Sequence, residues 1–170
     1  GSFGVPFLFD DELAIVGNAS IRNLATALLP PPEIVGAPVS GRPLVNLSLA
    51  LNHAVSGLEP WSYHVFNLLV HVGAGLLLFS VLRRTLRGPV LAPRMAAAAA
   101  PIALVAALLW TVHPLQTQAV TYVSQRAESM VGFFVLLTLW CHLRATGSAS
   151  PRRWHVGAFV ACALGMATKE

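Results

Sequence analysis

Apolar residues gather into long runs in the second half of the chain. Residues 65–82 and 95–112 contain no charged side chain. Each run is long enough to cross the hydrocarbon core of a bilayer, which takes roughly 20 helical residues. A continuous apolar run of this length is typical of a membrane helix rather than of a strand. We therefore predict a transmembrane helix over each run.

Two shorter apolar runs follow at 130–146 and 154–168. Arg144 has a long side chain that can reach the interface from within the bilayer, and Trp154 is an amphipathic residue typical of that interface. These residues can complete runs that are otherwise short for a crossing. The sequence thus predicts four transmembrane helices within residues 63–170.

The N-terminal part of the chain has a different pattern, because breakers such as the three prolines at 30–32 interrupt its apolar stretches. Between the breakers we predict two short helices. One covers residues 12–29 with Asp11 as its N-cap, and the other covers residues 43–57. We interpret both as helices that lie along a membrane surface. Residues 1–62 are then an extracytoplasmic loop with interfacial helices.

Composition supports a lipid environment. Charged residues make up 11% of the chain, against roughly 25% in soluble domains, while apolar residues reach 55% and the mean hydropathy is +0.66. The net charge of +4 does not indicate nucleic-acid binding, because the basic residues punctuate apolar runs instead of forming a stripe. We predict an all-α membrane protein, a polytopic helical bundle. The sequence has no initiator Met and stops directly after an apolar run, so we expect a fragment of a larger membrane domain.

Charge also predicts the orientation of the bundle. The loops that follow the first and third apolar runs carry arginines and no acidic residue, which places them in the cytoplasm by the positive-inside rule. All seven acidic residues fall on the opposite face, together with four basic ones that the rule does not explain. Those four are Arg22, Arg42, Arg126 and Lys169.

Three consecutive carboxyls, Asp10, Asp11 and Glu12, stand in the predicted outer loop. Neighbouring carboxylates repel one another, which can raise a pKa and suits a general base or a metal ligand. The alternative is a helix N-terminus, where carboxylates accept hydrogen bonds from free N–H groups. Both roles can coexist if Asp11 caps the helix while Asp10 points elsewhere.

The first predicted transmembrane helix carries polar side chains at its outer end. His64, Asn67 and His71 are spaced to share one helix face, and polar groups in this setting usually face the bundle interior or a wet cavity. Hydrogen bonding between helices is the main alternative to a functional role. The two histidines are two turns apart, too far for one metal ion without further ligands. Trp61 and Tyr63 are interpreted as interface anchors.

The loop after the second run is polar. Pro114 can open a helix after His113, and in such a helix Gln118, Tyr122 and Arg126 would lie on one face. The planar guanidinium of Arg126 suits a phosphate, since it donates two hydrogen bonds at once. A salt bridge that merely ties the loop is the alternative.

These blocks together resemble a known membrane family. They include Asp10-Asp11-Glu12, Arg42-Pro43, Tyr63-His64 and His113-Pro114, with Arg126-Ala127-Glu128 and the closing Lys169-Glu170. The chain is similar to the membrane half of the transmembrane and tetratricopeptide-repeat O-mannosyltransferase family and its bacterial relatives. It departs from the family pattern at Gln118, where a Glu is usual, and at Gly41, where an aromatic residue often stands.

The resemblance implies the C-type glycosyltransferase fold and a polyprenyl-phosphate-linked sugar as donor, with a protein or envelope molecule as acceptor. It makes Asp10 or Asp11 the catalytic base, and it makes Arg42, Arg126 and Lys169 the groups that hold the leaving lipid phosphate. It leaves open whether the enzyme uses a divalent metal. The residues expected to line the cavity are Glu12, His64, Asn67, His71, His113 and Glu128.

The leading hypothesis is therefore an integral-membrane glycosyltransferase with an extracytoplasmic active face, in a bacterial inner membrane or in the endoplasmic reticulum. The fragment alone is expected to be inactive. A non-catalytic membrane anchor that presents a tetratricopeptide-repeat domain is the main alternative, and it makes the outer acids and cations structural ties. A transporter is a third possibility, for which Pro101 is the sole hint.

Overall fold

The computed structural model describes residues 4–28 and 39–169, and within these ranges the chain is helical, without a strand. The prolines at 30–32 and the predicted end of the first helix at residue 29 lie outside them. The described residues form seven α-helices: α1 (Pro43–Ser56), α2 (Trp61–Leu86), α3 (Ala92–Met95), α4 (Ala99–Thr111), α5 (Thr117–Thr121), α6 (Arg126–Ala145) and α7 (Pro151–Met166). The all-α class predicted from sequence is confirmed.

Each of the four apolar runs contains a helix, respectively α2, α4, α6 and α7. Among the described residues, α2 is long and apolar enough by itself to cross a membrane. A second crossing is counted if α4 is joined to residues Pro114–Thr121, which continue at an angle of 54°. Four crossings therefore stay a prediction.

Helices α2 and α6 run in the same direction. At one end Arg126, the first residue of α6, donates a hydrogen bond to the Tyr63 carbonyl oxygen. At the other end Arg84 Nε donates to the Leu143 carbonyl oxygen at 2.9 Å. The two contacts hold the beginnings of both helices together at one end of the bundle and their final turns at the other.

Helix α4 packs against α2. His71 Nε2 is 2.9 Å from the carbonyl oxygen of Thr111, at the end of α4, and its ring stacks on Trp110. Gly75 permits the close approach, because a Cβ atom there would lie 2.5 Å from Thr111 Oγ1. Small residues let membrane helices pack closely in this way.

The predicted helix over residues 12–29 is wrong. A π-helical turn covers Glu12–Val16 and a 3₁₀-helix covers Ala19–Arg22. Between them Asn18 is extended, and its side chain accepts a hydrogen bond from the Ser20 backbone N–H, so it competes with the helical ladder. The Asn18 amide also donates to Asn46 Oδ1 of α1 at 2.8 Å, which fastens this segment to α1.

The helix predicted to run from Pro114 to Arg126 is also broken. Pro114–Gln116 is a 3₁₀-helix, α5 ends at Thr121, and Tyr122 is extended at ψ 112°. A second 3₁₀-helix, Val123–Gln125, precedes α6. The break at Tyr122 matters because it turns the following residues towards the N-terminal segment.

Candidate functional site

The N-terminal segment is fastened to the loop before α6 by one buried carboxylate. Asp11 Oδ1 accepts a hydrogen bond from the Ser124 backbone N–H at 2.7 Å, and Oδ2 accepts from the Leu8 backbone N–H at 3.4 Å. Asp11 is 2% exposed. Its side chain makes no capping hydrogen bond to the π-helical turn that follows it, so the interpretation of Asp11 as a helix cap is wrong.

Two opposing effects act on the Asp11 carboxyl. Burial removes water that would stabilise the anion, while backbone N–H groups of Ser124 and Leu8 stabilise it. Burial is the larger effect and raises the pKa of Asp11 above its ordinary value of 3.8. Asp11 is therefore an anchored carboxyl that is costly to ionise.

Asp10 differs from its neighbour in being exposed. Its backbone N–H donates to the hydroxyl oxygen of Tyr122 at 3.4 Å, so the same break in the loop before α6 supports both residues. Phe9, directly before it, adopts φ 50° and is 84% exposed. This left-handed conformation costs a non-glycine residue about 1 kcal/mol or more, and such strain often occurs at functional sites.

Arg126 is fully buried, and all its donors point into the protein. Nε donates to Asn67 Oδ1 at 2.8 Å, Nη1 donates to Ser48 Oγ at 3.1 Å, and Nη2 donates to the Tyr63 carbonyl oxygen at 3.0 Å. The guanidinium carbon also lies 4.4 Å from the centroid of the Phe66 ring, within cation–π distance. The predicted contact between Arg126 and a lipid phosphate does not fit this geometry, because the guanidinium is enclosed by neutral protein groups.

The predicted polar face of α2 is buried. His64, Asn67 and His71 are 2%, 0% and 5% exposed respectively. Asn67 binds Arg126 of α6, and His71 bonds to Thr111 of α4, as expected for hydrogen bonding between helices. His64 Nε2 lies 3.3 Å from the Val5 carbonyl oxygen, and its Nδ1 has no hydrogen-bond partner. Tyr63, predicted as an interface anchor, is buried instead.

Other predicted site residues lie at the surface. Glu12, His113 and Gln118 are exposed. His113 Nδ1 accepts a hydrogen bond from the Leu115 backbone N–H at 3.3 Å, and so caps the first turn of the loop. None of the three is held by a contact that would indicate a chemical role.

The remaining predicted residues lie at the end of the bundle where α6 begins and α7 ends. Lys169 Nζ forms an ion pair with Glu128 Oε1. The backbone N–H of Leu44, the second residue of α1 and two residues after Arg42, donates to the Ala167 carbonyl oxygen at 3.4 Å. Arg42 and Lys169 are thereby brought to the same end of the bundle as Asp10. We call this group, Asp10, Arg42, Glu128 and Lys169, the outer cluster.

Within residues 4–28 and 39–169, no three His, Cys, Asp or Glu side chains are placed to hold a metal ion. The structure adds partners that the sequence did not single out, namely Ser48, Phe66 and Ser124. Ser48 stands three residues after Val45 and four before Asn52, a spacing typical of one buried helix face, which was the available signal. Ser124 contributes a backbone N–H, and no residue pattern marks such a group.

The chain is similar to several curated proteins. It is 36% identical over 121 residues to "Protein O-mannosyl-transferase TMTC2" of Homo sapiens, which covers 70% of this chain and 13% of that protein. It is 32% identical over 176 residues to "Protein O-mannosyl-transferase TMTC4" of Homo sapiens, covering 93% and 23%. It is 33% identical over 183 residues to "Protein O-mannosyl-transferase Tmtc2" of Drosophila melanogaster, covering 99% and 18%.

The chain therefore spans less than a quarter of the length of these relatives. No family model matches it. No solved structure matches it either.

Proposed function

Because this chain belongs to the transmembrane and tetratricopeptide-repeat O-mannosyltransferase family, we propose that it is part of an integral-membrane glycosyltransferase. The enzyme moves a sugar, mannose by analogy with the names of the relatives, from a polyprenyl-phosphate carrier to a protein acceptor. The outer cluster is its reacting end, and this end faces away from the cytoplasm.

The proposal rests on the different surroundings of two adjacent carboxyls. Asp11 is buried and bonded to Ser124, while Asp10 is exposed beside Tyr122. An exposed carboxyl beside an anchored one suits a general base, because the base must reach a substrate hydroxyl. In our proposal Asp10 is the base and Asp11 positions it.

The reaction then proceeds as a displacement at the anomeric carbon. Asp10 takes the proton of the acceptor hydroxyl while the hydroxyl oxygen forms a bond to that carbon. The bond between the anomeric carbon and the phosphate oxygen breaks, and the lipid phosphate leaves with the electron pair. Arg42 and Lys169 stabilise the negative charge that builds on the phosphate. A single displacement of this kind inverts the anomeric centre.

A groove beside Lys169 supports a lipid-linked donor. It lies between α6 and α7 and encloses about 300 Å³. Apolar side chains such as Phe134, Leu139 and Met166 line it, and Lys169 stands at its edge. A polyprenyl chain could pack along such walls while its phosphate reaches the cation, once the Lys169–Glu128 pair has opened.

Arg126 has a different role in this proposal. Its buried contacts join α6 to α1 and α2, and the first turn of α6 carries Glu128 of the outer cluster. We therefore assign Arg126 to positioning, not to phosphate binding. Phosphate contact falls to Arg42 and Lys169.

The test is transfer of radiolabelled mannose from polyprenyl-phosphate mannose to an acceptor peptide by the full-length protein. We expect Asp10→Asn to lower transfer by about 100-fold or more, the usual contribution of a general base, with the thermal unfolding midpoint unchanged. Asp11→Ala, which leaves the Ser124 N–H without its acceptor, should lower both transfer and stability. Glu59→Gln, which removes another exposed outer carboxyl, should change neither.

A membrane anchor for a repeat domain is a second candidate function. Two buried contacts favour it, since Asp11–Ser124 and Arg126–Asn67 are the structural ties that it predicts. It does not require Asp10 to be exposed directly after the strained residue Phe9. The anchor would be favoured if Asp10→Asn transferred mannose at the wild-type rate, or if the wild-type protein showed no detectable transfer.

A further inference from the structure

A second cavity lies at the end of the bundle opposite the outer cluster. It encloses about 1030 Å³ between the last turns of α2, the turn at residues 88–91 and the last turns of α6. Its lining carries four arginines and no carboxylate. These are Arg83, Arg84, Arg87 and Arg144.

The arginines are held in place without neutralising their charge. Arg84 Nε is bonded to the Leu143 carbonyl oxygen. The Arg144 guanidinium carbon lies 5.3 Å from the Trp140 ring centroid and 4.8 Å from that of Trp154. The ion pair found in the described part of the chain, Lys169–Glu128, is at the other end. Like charges held close together without an acid indicate a site for an anion.

Apolar side chains make up much of the remaining lining, beside the hydroxyl groups of Ser80, Thr85 and Thr146. Phe79, Trp140 and Leu143 face it from the helices, and Val90 and Leu91 face it from the turn. The cavity stands at the end of α2, the helix that is long and apolar enough to cross a membrane, so it falls where lipid headgroups begin. Basic pockets between membrane helices bind anionic headgroups in this position.

We propose that this cavity binds an anionic phospholipid, whose headgroup phosphate contacts the arginines while an acyl chain packs on the apolar walls. The apolar walls are the reason to prefer a lipid to free phosphate, because inorganic phosphate would leave them uncovered. The inference rests on the membrane placement of α2. It does not depend on sugar transfer, so each can fail without the other.

The test uses the full-length protein, equilibrated with vesicles of equal parts phosphatidylglycerol and phosphatidylcholine and then analysed by native mass spectrometry. The variant Arg83→Gln/Arg87→Gln removes two exposed arginines of the cavity. The control Arg94→Gln/Arg152→Gln removes the same charge from exposed positions that do not line it. Neither pair belongs to the outer cluster, so the folded state and the transfer activity should persist in both.

We expect wild type and control to retain phosphatidylglycerol in preference to phosphatidylcholine. The cavity variant should lose this preference by about tenfold or more, as expected when two basic contacts to an anionic lipid are removed. Arg83→Lys/Arg87→Lys, which keeps the charge, should restore most of it.

Three results would overturn the proposal. An equal loss in the control would show diffuse attraction to an anionic surface, and an unchanged preference in the cavity variant would place the lipid elsewhere. Competition by millimolar inorganic phosphate or glycerol 3-phosphate, without stable retention of lipid, would identify a site for free phosphate.

Discussion

The Asp11 carboxylate accepts a hydrogen bond from the Ser124 backbone N–H at 2.7 Å, although 113 positions separate the two residues in the chain. Ser124 lies in the 3₁₀-helix that leads into α6, so the carboxylate stands near the positive end of that helix. It also acts electrostatically on the buried Arg126. One side chain thereby joins the N-terminal segment to the bundle.

The raised pKa of Asp11 predicts a pH dependence of stability. In the unfolded chain the carboxyl ionises near its ordinary pKa of 3.8, whereas in the folded protein burial raises the pKa. The stability that protonated Asp11 contributes is thus fully present below the unfolded pKa and is lost as the pH rises through the folded pKa. Asp11→Asn stays neutral, so the free energy of unfolding of the variant, relative to wild type, should rise as the pH increases above the ordinary carboxyl pKa of 3.8.

Denaturant unfolding of both proteins across this pH range measures the effect, and Asp10→Asn controls for the change in net charge. A relative fall of the Asp11→Asn stability with rising pH would show that the N–H donors outweigh burial.

Arg126→Lys should destabilise the bundle strongly. A lysine ammonium is a compact point charge that cannot reproduce the planar fork, so contacts to Asn67, Ser48 and the Tyr63 carbonyl cannot all be kept. Each lost bond to a charged group costs about 1.5–3 kcal/mol. The thermal unfolding midpoint measures the loss. Arg22→Lys is the matched control, since Arg22 is exposed and makes one side-chain bond, to the Val16 carbonyl oxygen; an equal loss there would contradict the assignment.

Gly75→Ala should push α2 and α4 apart. The new Cβ would lie 2.5 Å from Thr111 Oγ1, and overpacking of this kind costs about 1–3 kcal/mol. Gly132→Ala in α6 is the control, because nothing lies within 4 Å of its added Cβ. That change should stabilise by about 0.5–1 kcal/mol through helix propensity. Similar unfolding midpoints for the two variants would show that α2 and α4 do not pack as closely as described.

The helical class of the chain and the buried face of α2 could be predicted, because both follow from local patterns of apolar and polar residues. The spacing of His64, Asn67 and His71 places them on one face whatever they contact. The end of α1 near Gly57 was predictable for a similar reason, since this residue has φ 60°, a conformation that favours glycine.

The contacts that define the site could not be predicted in the same way. The Asp11–Ser124 hydrogen bond depends on the interruption of the helix at Tyr122. It also depends on a backbone N–H, a group that every residue except proline has and that no sequence pattern marks. Arg126 was predicted to bind an anion because it lies on the side of the membrane where the positive-inside rule does not expect a basic residue. Its actual partners are neutral, and a single sequence does not reveal that an arginine has three acceptors arranged around it.

The variant Lys169→Gln should distinguish the glycosyltransferase hypothesis from the membrane-anchor hypothesis. The Lys169–Glu128 pair is partly exposed, and such pairs contribute about 0–1 kcal/mol to stability. If Lys169 stabilises the departing lipid phosphate, transfer should fall by about 10-fold or more while the unfolding midpoint hardly moves. Arg22→Gln removes an outer cation that lies apart from the outer cluster and is the control for activity. A change in stability without a change in transfer would favour the anchor.

The orientation of the bundle is the last prediction, and labelling of single cysteines in intact membrane vesicles tests it. The background protein carries Cys141→Ser and Cys162→Ser, the latter because Cys162 is exposed, together with serine at any cysteines outside this segment. Glu12→Cys and Arg152→Cys then place one exposed thiol at each end of the bundle. A membrane-impermeant maleimide should label position 12 from the extracytoplasmic side and position 152 only after the membrane is opened, because arginine-rich loops stay in the cytoplasm. Labelling of both positions from one side would mean that the outer cluster and the basic cavity share a compartment, and the proposed outward-facing reaction could not stand.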